Sequence, residues 1–323
     1  MKSLKLLLVS LAILVSHNLT MGQGSKDSKK SNNPVKSALN AFKFRSIGPA
    51  FMSGRIADIA IDPTNENVWY VAVGSGGVWK TENSGTTWIP LADNMPFYST
   101  GCITIDPHNN ASIWLGTGEN VGGRHVGIGH GVYHSKDGGK SWKDMGLKKS
   151  EHISKIIVHP DDPKTVWVAS QGPLWSSGGE RGLYKTTDGG KTWKNTLEIN
   201  EWTGVTDLVI DPTNPDILYA ASWQRHRNVA ALIGGGPGTA LYKSTDGGES
   251  WLKINKGLPR SNMGKIGLAI SPMQPNVLYA AVELDKRAGA VYRSDNSGGS
   301  WKKMSDTVSG GTGPHYYQEL VAS

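Results

Sequence analysis

Four stretches of this sequence gather side chains that could do chemistry: Gly118-Glu119-Asn120-Val121-Gly122-Gly123-Arg124-His125, the run from Gln171 to Glu180-Arg181, Trp223-Gln224-Arg225-His226-Arg227, and Glu283-Leu284-Asp285-Lys286-Arg287. Aromatic faces stack on sugar rings, and arginine forks pair with carboxylates. Arg55, Arg124, His125, Glu180, Arg181, Trp202, Trp223, Arg225 and His226 are therefore the candidate contacts for a glycan or peptide ligand. Glu119 and Glu180 are also the candidates for a general acid and base, a pair whose separation decides how a glycosidic bond is cleaved. Loops are polar by default, so it is the convergence of these residues that marks a site. No His/Cys/Asp cluster has ligand spacing, so no metal is expected. Gly234-Gly235-Gly236-Pro237-Gly238 is followed by no helical pattern, which excludes a phosphate loop and reads as mobile loop. No cofactor is expected.

The elements that must position these loops are set by a repeated motif, Ser/Thr-x-Asp/Asn-x-Gly-x-Ser/Thr-Trp. It runs from Thr81 to Trp88, Ser135 to Trp142, Thr186 to Trp193, Ser244 to Trp251 and Ser294 to Trp301, with successive tryptophans 54, 51, 58 and 50 positions apart. A period near fifty means a repeat architecture. As a turn, the motif has a mechanism: the Asp or Asn accepts backbone N–H bonds, the Gly takes positive φ, and the Trp buries its ring between neighbouring sheets.

Each repeat opens with an apolar run ending in a turn at Pro63, Pro107, Pro160, Pro212 or Pro272 (strand A), followed by a second run (strand B). A loop of variable length leads to strand C, with Trp79, Tyr133, Tyr184, Tyr242 or Tyr292 two residues before the motif, and strand D follows the closing Trp. Short β-branched and aromatic strands with no helical period predict an all-β fold, a β-propeller of four-stranded blades. A β-helix fits less well, because its coils are shorter and need no variable loop at one fixed place. Strand alternation puts the A–B turns and the Asp motifs on one face and the B–C and D–A loops on the other. The starts of strand A bring Arg55, His152, Trp202, Lys265 and His315 to the loop face around the channel. Substitution is expected to separate the two faces. Trp193→Ala should mainly destabilise the fold, whereas Arg124→Ala and Trp223→Ala should weaken binding and leave stability nearly unchanged.

The ends carry other signals. Met1 to Lys5 is a basic n-region and Leu6 to Val15 an apolar run too short to span a bilayer, so residues 1–22 read as a signal peptide, with no Cys following for a lipid anchor. The expected location is secreted or periplasmic, with no membrane span. Residues 23–41, rich in Lys, Ser and Asn, read as a flexible linker. Six of the 34 Lys and Arg but only one of the 27 Asp and Glu lie in residues 1–40, so the folded part is nearly neutral and carries no nucleic-acid footprint. The single cysteine, Cys102, sits in a strand pattern as a buried thiol. Phe42 to Ile47 looks like a strand D without its partners, and Tyr317 to Ser323 repeats the strand A pattern. The expectation is an incomplete ring over residues 42–323, five blades plus the start of a sixth, with further blades or domains C-terminal to it.

The five motifs resemble the Asp-box, or BNR, repeats of sialidases, sortilins and xyloglucanase-type glycoside hydrolases. The resemblance implies fold more than function. A sialidase arginine triad and Tyr nucleophile have no recognisable context here. The opening from Ile47 to Trp88, with Gly76-Gly77-Val78-Trp79, looks most like the first blade of the xyloglucanase group. That resemblance implies a catalytic Asp before the Gly-Gly, where this chain has Gly74 and Ser75, and a second Asp on a second propeller that this chain does not reach. Sortilin-type propellers imply peptide binding without chemistry, with a Cys-rich module beyond this C-terminus. The expected function is thus an exported propeller that binds a glycan or peptide on its B–C loops, with a xyloglucanase-like glycoside hydrolase as the alternative.

Overall fold

The computed structural model describes residues 55–284, 288–307 and 319–322. The expectations for Phe42 to Ile47, His315 and Asp285-Lys286-Arg287 lie outside the described residues. The described residues are all-β: five antiparallel four-stranded sheets and one small hairpin. Blade 1 is β1 (Ile56–Ile61), β2 (Trp69–Val73), β3 (Gly77–Thr81) and β4 (Ile89–Pro90), and blade 2 is β5 (Thr100–Asp106), β6 (Asn109–Thr117), β7 (Val132–Ser135) and β8 (Lys143–Asp144). Blade 3 follows with β9 (Ile153–Val158), β10 (Val166–Ser170), β11 (Gly182–Thr186) and β12 (Lys194–Leu197). In blade 4, β13 (Thr203–Asp211) and β14 (Asn214–Gln224) precede a hairpin of β15 (His226–Arg227) and β16 (Leu232–Ile233), and β17 (Leu241–Ser244) and β18 (Leu252–Lys253) complete the sheet. Blade 5 is β19 (Ile266–Ile270), β20 (Leu278–Glu283), β21 (Gly289–Ser294) and β22 (Lys302–Thr307).

Within each blade the strands pair in chain order, and the first strands of successive blades pack side by side, β1 on β5, β5 on β9, β9 on β13 and β13 on β19. This is the arrangement of a propeller, with strand A innermost. Residues 319–322 carry no strand and line a cavity together with residues of β1 and β19.

A blade is apolar on both faces and cannot bury itself. The core is accordingly a series of layers between blades. Tyr70, Ala72 and Val78 of blade 1 meet Ile103, Ile113 and Leu115 of blade 2. Cys102 and Trp114 of blade 2 meet Ile156 and Val168 of blade 3. Trp167 and Leu183 of blade 3 face Leu208 and Leu218 of blade 4, and Tyr219 and Leu241 of blade 4 face Leu268 and Leu278 of blade 5.

The Asp motifs close the C–D turns as their residue types require. Asp188 Oδ1 accepts the N–H groups of Lys191 at 2.9 Å and Thr192 at 3.0 Å and the Thr186 hydroxyl at 2.7 Å, while Oδ2 takes the Thr192 hydroxyl at 2.7 Å. Gly190 adopts φ +82°, the left-handed region that favours glycine in this turn. The Gly189 N–H donates to Lys164 O in the A–B turn at 2.9 Å, and Gly138, Gly247, Ser84 and Ser297 repeat that bond in the other blades. The closing tryptophans dock on the preceding blade: Trp142 Nε1 donates to Leu91 O at 3.1 Å, Trp193 Nε1 to Met145 O at 2.7 Å, and Trp301 Nε1 to Ile254 O at 2.8 Å. Two copies differ. Trp251 packs on the layer between blades 3 and 4 like the others but bonds from Nε1 to its own turn at Gly248 O, 3.2 Å away, and Trp88 is 40% exposed because no described strand precedes blade 1 to receive it.

Candidate functional site

The loop face is organised by buried cations that hold main-chain carbonyls. Arg225, immediately after β14, is 0% exposed, and its Nη1 and Nη2 donate to Val121 O at 2.8 Å and Gly172 O at 3.0 Å. It thereby ties the B–C loop of blade 4 to those of blades 2 and 3. Arg227 Nη1 reaches Gly122 O at 2.9 Å, and Arg124 Nη2 reaches back to Val229 O at 3.2 Å. Arg181 folds its own loop, donating to Gly178 O and Gln171 O at 2.8 Å each, to Ser176 O at 2.7 Å and to Pro173 O. Lys265 Nζ bonds Asn120 O at 2.8 Å, and buried His152 donates from Nδ1 to Glu119 O at 2.8 Å. Burial, reinforced by the charge of Arg225, holds the His152 pKa well below its ordinary value, so the ring is neutral. Together these bonds make a plate of the loops of blades 2, 3 and 4.

That plate corrects several expectations. Arg181 and Arg225 are buried, and the donors of Arg181 and the two Nη groups of Arg225 are taken up by carbonyls inside the plate, which leaves neither side chain facing a ligand. Trp223 is 5% exposed, its Nε1 bonds Gly234 O at 2.8 Å, and Arg225 Cζ and Lys265 Nζ lie 5.1 and 5.7 Å from its ring centre. Its ring is part of the plate's core, so the expectation that Trp223→Ala leaves stability nearly unchanged does not hold. The glycine run after the hairpin is bonded, not free: Gly236 N–H donates to Met263 O at 3.2 Å and Gly238 N–H to Gln224 Oε1 at 2.8 Å.

Glu119 is 0% exposed, and both its oxygens face Arg55, with Nη2 to Oε2 at 2.6 Å and Nε against Oε1. A carboxylate held this way cannot reach a polysaccharide to exchange protons with it. Glu180, half-buried, accepts the Lys149 N–H at 2.7 Å.

The remaining candidates do face outward. Arg124 and His125 are exposed, and half-buried Trp202 and His226 meet edge to face at 4.2 Å. His226 Nδ1 is buried without a hydrogen-bond partner. The exposure of Tyr98 (67%) and Trp175 (43%) on the same face was not anticipated, since neither residue type nor spacing told which loop aromatic would point to solvent. The β15–β16 hairpin, unforeseen in a stretch read as loop, carries exposed Val229, Leu232 and Ile233.

Comparison with known proteins agrees with this architecture. A family model described as sortilin, neurotensin receptor 3, matches residues 130–257. A probable oligoxyloglucan-reducing end-specific xyloglucanase of Neosartorya fischeri is 24% identical over 244 residues, 69% of this chain and 26% of that protein. Xyloglucanase Xgh74A of Acetivibrio thermocellus is 24% identical over 233 residues, 61% of this chain and 25% of that protein. Among solved structures, an ancestral GH74 enzyme superimposes with a TM-score of 0.61 at 23% identity, over 78% of this chain and 31% of the other. The Niastella koreensis GH74 enzyme gives 0.58 at 18% identity, over 77% and 38%. The chain is thus a β-propeller that resembles the xyloglucanase and sortilin propellers, and it spans about a quarter of the length of the curated relatives it matches. Among the described residues, no helix is long and apolar enough to cross a membrane.

Proposed function

We propose that this chain is part of an exported propeller whose loop face binds a glycan chain and does not cleave it. The observation that carries the reading is the rigid plate of loops, held by Arg225 and Arg227, beside which Tyr98, Trp175, the Trp202–His226 pair and the charged tip of Arg124 and His125 stay accessible. Preorganised aromatic faces cost little entropy on binding and match the apolar faces of sugar rings. That two of the relatives are xyloglucanases favours a polysaccharide over a peptide and keeps hydrolysis as the second reading. Against hydrolysis stand the Arg55-bound Glu119 and the glycine at position 74. The test is a panel of plant and bacterial polysaccharides, measured for binding by affinity electrophoresis and for reducing ends released. Retardation by at least one polysaccharide without release supports the reading. Release that Glu180→Gln abolishes would replace it with a hydrolase.

A further inference from the structure

The first strands of blades 1 to 4 share an irregularity. The pairing of each with its neighbour skips one residue, between Ile56 and Asp58, Thr100 and Cys102, Ile153 and Lys155, and Val205 and Asp207. Such a bulge re-aims the side chain that follows it. At the blade 2 bulge only glycine fits, since a Cβ on Gly101 would lie 2.1 Å from Ile153 O. The residues after the bulges include Asp58, Lys155 and Asp207, and all three line a cavity of about 400 Å³ between the inner strands, together with Lys265, Asn120 and Glu319.

Two of the carboxylates are fixed by backbone donors that also tie one blade to the next. Asp58 accepts the N–H of Ile59 at 2.9 Å and of Ile103 in blade 2 at 3.0 Å. Asp207 accepts that of Leu208 at 2.8 Å and of Leu268 in blade 5 at 2.7 Å. Lys265 is held on Asn120 O. Burial acts to lower the pKa of Lys155, but Asp207, Asp58 and Glu319 outweigh it and raise it, while burial raises those of the three carboxylates in turn. The cluster sets three carboxylates against two ammonium groups. Asn120, 2% exposed, adds a side-chain Oδ1 with no partner. Carboxylates gathered around one cavity repel one another, and a buried acceptor without a donor is costly.

A ligand that is cationic and rich in N–H donors would satisfy both. Among the described residues no three of His, Cys, Asp and Glu converge closely enough to hold a metal ion. The walls of Ile59, Val209, Leu268 and Ile270 suit an alkyl chain instead. We propose that this axial cavity is a binding site for an alkylammonium group, a free primary amine or the lysine side chain of a peptide, with Asn120 Oδ1 accepting from the ammonium and the carboxylates of Asp58, Asp207 and Glu319 supplying the opposite charge around it. The site is separate from the loop face and does not rest on glycan binding.

The experiment is calorimetric titration of the full chain with n-butylamine at pH 7, its neutral isostere n-butanol, glucose, and Nα-acetyl-lysine methylamide. Butylammonium should bind and butanol and glucose should not. Tighter binding of the lysine derivative identifies a peptide lysine as the source, and weaker binding a free amine. Glu319→Gln, on an exposed side chain, should weaken butylammonium binding about ten-fold, and Lys155→Met, which removes the resident cation, should strengthen it by a similar factor. Melting curves establish that both variants fold, and if Lys155→Met does not, Glu319→Gln alone decides. Equal binding of butanol, binding of glucose alone, no heat with butylammonium at millimolar concentration, or no effect of Glu319→Gln would each overturn the proposal.

Discussion

Arg225→Met isolates the claim that the buried arginines hold the loop face together and do not contact ligand. The substitution keeps most of the side-chain volume and removes two donors, leaving the buried carbonyls of Val121 and Gly172 without them. Hydrogen bonds from charged donors contribute about 1.5–3 kcal/mol each. The stacking of Arg225 on Trp223, centred 5.1 Å away, contributes about 1–2 kcal/mol more in a desolvated site. Against this stands the desolvation of the guanidinium, whose pKa burial lowers and which the neighbouring Arg181 charge lowers further; its removal returns several kcal/mol. The net loss is on the order of 2–4 kcal/mol. For a chain of this size that is a fall of roughly 5–10 °C in melting temperature, read by differential scanning calorimetry. Glycan affinity should fall only as far as the loops lose their order. A variant that melts within about a degree of the parent but has lost binding outright would show Arg225 to be a ligand contact, and the plate would be the wrong description.

Other expectations follow from the same structure. Trp193→Ala removes a half-buried ring, its bond to Met145 O and its edge contact with Trp114 at 6.5 Å, and should cost about 2–4 kcal/mol, measured by denaturant titration. Arg124→Ala, losing one exposed bond of 3.2 Å, should stay within about 0.5 kcal/mol of the parent in the same titration. Burial depresses the pKa of His152 well below 6.5, and that of His134 to about 4. The unfolded chain therefore binds protons first, and stability that is complete above pH ~6.5 should decline as the pH falls toward 4; melting temperature against pH in parent and His152→Gln should show the variant's slope to be shallower. The Asp motifs act at lower pH. The side-chain bond from Ser141, followed by its N–H, holds Asp137 down to about 2, so its contribution is present above pH ~4 and lost only as pH falls through about 2; Asp137→Asn should be the less acid-sensitive protein in circular dichroism between pH 4 and 2.

The blades were legible in the sequence because each element is fixed by local chemistry. An apolar run stops at a proline, an Asp or Asn caps a turn, and a Trp follows at constant spacing, so the strands fall where the pattern puts them. The roles of the loop residues were not legible. Charge and residue type mark Arg225 as polar, but only the fold brings the carbonyls of Val121 and Gly172 beside it. Glu119 likewise reads as a free carboxylate until Arg55, from another blade, is seen against it. Asp58, Lys155 and Asp207 were overlooked for a different reason: a lone charge in an apolar strand looks like the solvent side of an alternating pattern, and the bulges that turn these residues toward the cavity leave no mark on strand periodicity.

The most direct measurement is the affinity of parent and Trp175→Ala for the polysaccharide that retards the parent most, with melting temperature recorded for both. Trp175 is 43% exposed on the loop face, so the variant should melt with the parent and bind about ten-fold more weakly. A variant that melts and binds as the parent does would contradict a glycan site on this face.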